Sequence, residues 1–101
     1  MFKAIILLKR RDDMTSAEFE NWWFSEHAPL AAGLAGVRKI VFNKAEDGGA
    51  FDGVSELWFD SEDALTSALS SPEGKVLLAD LPNFAKDVSP IVAVEHPMLW
   101  P

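Results

Sequence analysis

The sequence predicts an α+β domain, a four-stranded antiparallel sheet with two main helices on one of its faces. Three observations predict it. Short apolar or alternating runs at Phe2 to Leu8, Val37 to Asn43, Val54 to Phe59 and Val88 to Val94 have the length and β-branched content of strands. Two capped segments of helical period, opening at Thr15 and at Asp60 or Ser61, fall between the first and second runs and between the third and fourth. Turn residues from Ala45 to Gly53 join the middle two runs as a hairpin.

Each element has its own signal. Phe2 to Leu8 is a continuous apolar run closed by Lys9, Arg10 and Arg11, which suits a buried strand. Thr15 and Glu18 form a capping box, with Met14 placed as a hydrophobic staple. Phe19, Trp22, Trp23 and Glu26 then recur at helical spacing, so one helix face carries three large rings and a carboxylate. Pro29 disfavours helical geometry at Ala28, so the helix is expected to end at Glu26 or His27, leaving His27 at a helix C-terminus. Ala31 to Gly36 reads as a connection, and Gly48, Gly49 and Gly53 with Asp47 and Asp52 as the hairpin turn. Ala64, Leu65, Ala68 and Leu69 give the next helix its apolar stripe. Ser71 before Pro72 repeats a cap with proline at the first helical position, starting a shorter helix that runs to about Asp80 before Pro82. Pro90 sits near the start of the last strand, which suits a sheet edge.

Strand, helix, strand, strand, helix, strand is the ferredoxin-like βαββαβ order, and one such domain accounts for residues 1–101. The sheet face away from the helices needs a cover, because the first and last strands are apolar at nearly every position. A second copy related by a two-fold axis supplies one, so the expected assembly is a homodimer, a dimeric α+β barrel with a small interior cavity.

Composition narrows the chemistry. Nine Lys and Arg against 16 Asp and Glu leave a net charge of −7, which excludes the basic footprint of a nucleic-acid or anionic-membrane partner. With no Cys there is no thiolate chemistry, with no Tyr no phenol acid, and with two His no three-histidine metal site in one chain. No apolar stretch approaches the roughly 18 residues that span a bilayer, and the apolar start is too short for a signal peptide, so a cytoplasmic protein is expected. Neither glycine cluster has a nucleotide-binding spacing, and His27, His96 and Glu56 show no metal-ligand spacing, so no cofactor and no metal are expected.

Several residues are candidates for a site. His27, beside Glu26 and at a helix end, would have its pKa raised to near or above neutrality and suit general acid–base work; the alternative is a histidine capping the last carbonyls. Glu56 alternates with Val54 and Trp58, so it points into the barrel, either toward a substrate or paired with Arg38 or Lys3. Arg38 shares its face with Ile40 and Phe42 and can bind an anionic or carbonyl oxygen, or sit at a dimer seam. Trp22, Trp23 and Trp58 form either an aromatic wall or core packing.

These residues also carry a resemblance. Lys9-Arg10-Arg11-Asp12-Asp13-Met14-Thr15, Phe19, Trp23, Glu26-His27-Ala28-Pro29-Leu30 and Gly36-Val37-Arg38 resemble the EthD family, as do Glu56-Leu57-Trp58-Phe59-Asp60-Ser61, Ser71-Pro72-Glu73-Gly74 and Glu95-His96. The resemblance covers almost the whole chain. It implies a dimeric α+β barrel that binds a small molecule, in a family named for ethyl tert-butyl ether degradation and often labelled oxidoreductase. It makes Glu-His-Ala-Pro a hallmark, favouring His27 as catalytic residue; from their own placement in the sequence, Arg38, Glu56, Trp58 and Trp23 are expected to bind the substrate. Where relatives carry a tyrosine, this chain has Ile40, expected on the cavity wall. The function expected is chemistry on a hydrophobic oxygenated compound in catabolism or secondary metabolism. It is an oxidation by the family label, or a cofactor-free isomerisation or cyclisation by proton transfer. The alternatives are a non-catalytic ligand carrier or accessory protein, and a bare dimerisation module.

Overall fold

The computed structural model describes residues 1–46 and 49–100; Asp47 and Gly48 of the expected hairpin turn lie outside them. The order is β1 (Phe2–Arg10), α1 (Ser16–Trp22), a π-helical turn (Trp23–His27), α2 (Ala28–Ala32), β2 (Lys39–Lys44) and β3 (Gly53–Phe59). Then come α3 (Glu62–Ser70), α4 (Pro72–Asp80), a 3-10 turn (Leu81–Asn83) and β4 (Ala85–Val94). These strands form an antiparallel sheet in the order β2-β3-β1-β4, so the fold is the ferredoxin-like one the sequence predicts.

The capping signals act as written. Thr15 Oγ1 accepts from the Glu18 N–H at 3.1 Å while Glu18 Oε1 accepts from the Thr15 N–H at 2.9 Å, satisfying two orphan donors at the start of α1. Ser61 caps α3 through the Ala64 N–H, and Ser71 caps α4 through the Gly74 N–H.

The end of the first helix corrects the sequence reading. Ala28, expected to be extended before Pro29, is right-handed helical at φ −56° and ψ −43°, and the chain stays helical to Ala32. The physical reason is the π turn. Its wider i→i+5 ladder lets the Ala28 N–H bond to the Trp23 carbonyl, and Pro29, which has no N–H to give, becomes an early residue of α2. His27 therefore lies inside a helical segment rather than at its C-terminus.

Alternation along the strands assigns two faces. Ala4, Ile6 and Leu8 of β1, with Ser55, Leu57 and Phe59 of β3, are buried beneath the helices, and Ile40 and Phe42 of β2 pack against the same core. Phe19, Trp23, Leu34, Leu65, Leu77 and Phe84 fill the layer from the helix side. Each such side chain contributes about 1.5–3 kcal/mol of burial. The Trp23 indole stacks on Phe42 with centroids 4.8 Å apart and planes 12° apart. A Cβ on Gly53 would lie 2.5 Å from that indole, so the first residue of β3 has to be glycine to admit the ring.

On the open face, cross-strand register sets three rows: Lys39, Trp58, Lys3 and Ala93; Val41, Glu56, Ile5 and Ile91; Asn43, Val54, Leu7 and Ser89. Two expectations fail here. Ile40 pairs with Leu57 and faces the helix layer, not the open face, because its parity is opposite to that of Trp58. Arg38 precedes β2 and pairs with Asp60 rather than Glu56. Among the described residues no helix is long and apolar enough to cross a membrane.

Candidate functional site

Two places in the fold gather functional side chains, one on each side of the sheet. The first centres on His27. Trp22 and His27 are five residues apart, the step of the π turn, and both reach Asp80 in the last turn of α4. His27 Nδ1 lies 2.8 Å from Asp80 Oδ2, and the Trp22 indole N–H donates to both carboxylate oxygens at 3.2 Å. Asn83 from the 3-10 turn adds a third donor at 2.9 Å.

Burial decides the protonation states. It pushes the His27 pKa below its ordinary 6.5, and the hydrogen bond and charge of Asp80 oppose that push without reversing it. The raised pKa expected at a helix C-terminus is thus reversed, since His27 is only 5% exposed. Burial also works to raise Asp80, but its donors Asn83, His27 and Trp22 together outweigh it and hold the carboxyl below the ordinary 3.8. Asp80 is then an acceptor only, which puts the imidazole proton on Nδ1 and the lone pair on Nε2. No hydrogen bond to Nε2 is made among the described residues. The ring sits 4.9 Å from that of Phe84 and 6.5 Å from that of Phe42. A groove of about 280 Å³ between α2 and α4, lined by Leu30, Val76, Ala79, Asp80 and Asn83, opens beside Asp80, and His27 is not part of its lining. A neutral imidazole oriented by a carboxylate, with its second nitrogen unbonded, is the arrangement of a general base.

The second place is a cavity of about 410 Å³ at the end of the open face, lined by Met1, Arg38, Lys39, Trp58, Glu95, Pro97 and Trp100. The Trp58 indole N–H donates to Glu95 Oε2 at 2.6 Å, and the ammonium groups of Lys39 and Lys3 stand 4.7 and 5.0 Å from the indole centroid. Glu56 lies in the next row, bonded to Lys3 Nζ at 3.2 Å and Asn43 Nδ2 at 3.3 Å.

The sheet therefore divides the residues that the sequence singled out. His27, Trp23 and Ile40 lie in the helix layer, where Trp23 is fully buried and donates to Ser55 Oγ at 3.2 Å. Glu56 and Trp58 lie on the open face, with Arg38 at the edge of its cavity, held by Asp60. His96 is exposed beyond β4. Glu26, the expected partner of His27, is exposed as well. Among the described residues no three His, Asp or Glu side chains are placed to hold a metal ion. Sequence reading missed Asp80, Asn83, Lys39, Glu95 and Trp100. Asp80 had a signal, since a carboxylate in the last turn of a helix opposes the helix dipole and needs local donors.

Solved structures resemble this chain over nearly its full length. An ethyl tert-butyl ether degradation (EthD) family protein from Bacillus halodurans superposes with a TM-score of 0.86 at 26% identity, covering 95% of this chain and 99% of the other. A dimeric ferredoxin-like protein of unknown function from Thermobifida fusca gives 0.76 at 17% identity, with 93% and 90% covered. SnoaB, a cofactor-independent oxygenase from Streptomyces nogalater, gives 0.76 at 17%, with 97% and 95% covered. The latter two likenesses concern the fold. The EthD domain model itself matches residues 11–87, which span α1, the π turn with His27, and α4 with Asp80; on that match the chain belongs to the EthD family.

Proposed function

We propose that this chain is a small-molecule-binding barrel that works as a homodimer in the cytoplasm and catalyses proton transfer on a hydrophobic, oxygenated compound. The observation that carries the reading is the His27–Asp80 pair, buried and with Nε2 unbonded among the described residues. In this reading Nε2 takes a proton from carbon next to a carbonyl and returns it elsewhere, and Asp80 keeps the ring in its tautomer. Isomerisation, cyclisation or dehydration needs nothing more. An oxidation on the same base needs molecular oxygen to accept electrons from the deprotonated substrate. The fold shared with a protein described as a cofactor-independent oxygenase is compatible with that outcome.

Support for the homodimer comes from the open face, where Ile5, Leu7, Val41 and Val54 stay only partly covered and Ile91 is 47% exposed. Size-exclusion chromatography with light scattering is expected to give a dimer, and a stable monomer at micromolar concentration would remove this part of the reading.

A non-catalytic carrier is the second reading, favoured by one observation: the larger cavity lies across the sheet from His27. A thermal-shift screen of lactones, hydroxylated aromatics and polyketide-like compounds separates the two. A ligand at about 100 times its Kd adds about 2.7 kcal/mol of stability. Turnover of a hit that disappears in a folded His27→Ala variant supports the enzyme, and binding without turnover by wild type supports the carrier.

A further inference from the structure

We propose that the cavity at the end of the open face is a binding site for a flat aromatic acid, an aromatic ring carrying a carboxylate. It goes beyond the proton-transfer reading, because it uses neither His27 nor Asp80 and stands whether or not that pair is catalytic.

Size and walls set the ligand's body. At about 410 Å³ the cavity falls within the usual range for small-molecule sites, and Trp58, Trp100, Pro97 and Met1 give it apolar, largely flat walls. The Trp58 plane is fixed by its bond to Glu95, and Glu95 is itself tied to the residue before β1 by its N–H donating to the Met1 carbonyl at 3.1 Å. This brings the tail to Met1 and leaves Trp100 of the same chain as a wall.

Charge sets the ligand's head. Lys3, Arg38 and Lys39 are three of the nine basic residues in a chain of net charge −7, and they gather at this end. Lys3 is neutralised by Glu56, and Arg38 by Asp60 at 2.6 Å. Among the described residues no carboxylate pairs with Lys39, whose ammonium rests instead on the Trp58 ring. The lining also holds the Glu95 carboxylate, which is taken up by the Trp58 indole N–H, so Lys39 is the cation left to receive a ligand anion at the cavity rim. A small hydrophilic anion would leave the tryptophan walls unused, and a neutral ring would leave Lys39 unused. An aromatic carboxylate uses both.

The test is a titration of the full-length protein with 2-naphthoate, followed by tryptophan fluorescence and by calorimetry, beside its neutral analogue 2-naphthylmethanol. One naphthoate per chain is expected, bound about tenfold more tightly than the alcohol and weakened by added salt. Lys39→Met, which keeps the aliphatic stem, is expected to weaken naphthoate about tenfold and to remove the salt dependence, with Lys39→Gln behaving alike. His27→Gln is expected to bind naphthoate as wild type does, whatever happens to turnover. Absence of saturable binding, equal affinity for the alcohol, or an unchanged affinity in both Lys39 variants overturns the proposal. So does binding that appears only where dilution dissociates the dimer, since the partner copy that covers the open face would then fill the cavity as well.

Discussion

His27 Nδ1 sits 2.8 Å from Asp80 Oδ2 and joins two helical segments that are 53 residues apart in sequence. The carboxylate opposes the dipole of α4 by roughly 0.3–1 kcal/mol, and three donors offset that cost. Replacing Asp80 by Ala is expected to release the imidazole from a single tautomer. Long-range 15N–1H correlation spectra should place the bare nitrogen at Nε2 in wild type and show mixed tautomers in the variant. The variant should also lose about 1–3 kcal/mol of stability in urea unfolding. An unchanged tautomer would mean that Asp80 does not orient the ring.

Stability should fall in acid in two steps. His27 has a folded pKa below its ordinary 6.5, so the unfolded chain binds the extra proton first and stability declines as pH drops below about 6.5. Asp80 has a folded pKa below 3.8, so its contribution is present above that value and is lost as pH falls further. Urea midpoints measured from pH 7.5 downward check this, and His27→Gln should remove the upper step and also shrink the lower one, because His27 is one of the donors that hold the Asp80 carboxyl down.

Gly53→Ala places a methyl group against the Trp23 indole and should cost about 1–3 kcal/mol. Combined with Trp23→Leu, which removes the ring that the methyl group meets, the two changes should cost less than their sum. Additivity in a double-mutant cycle would show that the ring does not dictate this glycine.

Thr15→Ala removes one half of the capping box and should cost about 1 kcal/mol, with Ser61→Ala at α3 losing a similar amount. Thermal unfolding followed by circular dichroism measures both, and no change at Thr15 would leave α1 held by its packing alone.

Much of the fold was legible because its signals are local. The caps at Thr15, Ser61 and Ser71 and the alternation in β3 each act within a few residues and appear where they were expected, whereas the stripe begun by Phe19 passes into the π turn at Trp23 and leaves Glu26 exposed. Ala28 was misread because the restriction on a residue before proline is a local steric preference, and the helical segments on both sides of Ala28 override it. Ile40 was misread because side-chain parity is set by where β2 pairs with β3, and Arg38 falls just before that pairing begins.

The sequence by itself determined the class of this protein: its element order, its caps, its apolar faces, and a chemistry without thiols or phenols. Only the tertiary structure decided which side chains meet. His27 finds Asp80 rather than Glu26 because helix packing brings α4 against the π turn. The sheet then sets His27 on one side and Glu56 and Trp58 on the other, because a strand sends alternate residues to opposite faces and register decides which go where. Contacts across dozens of residues depend on that register and that packing, and neither is written in any short stretch of chain.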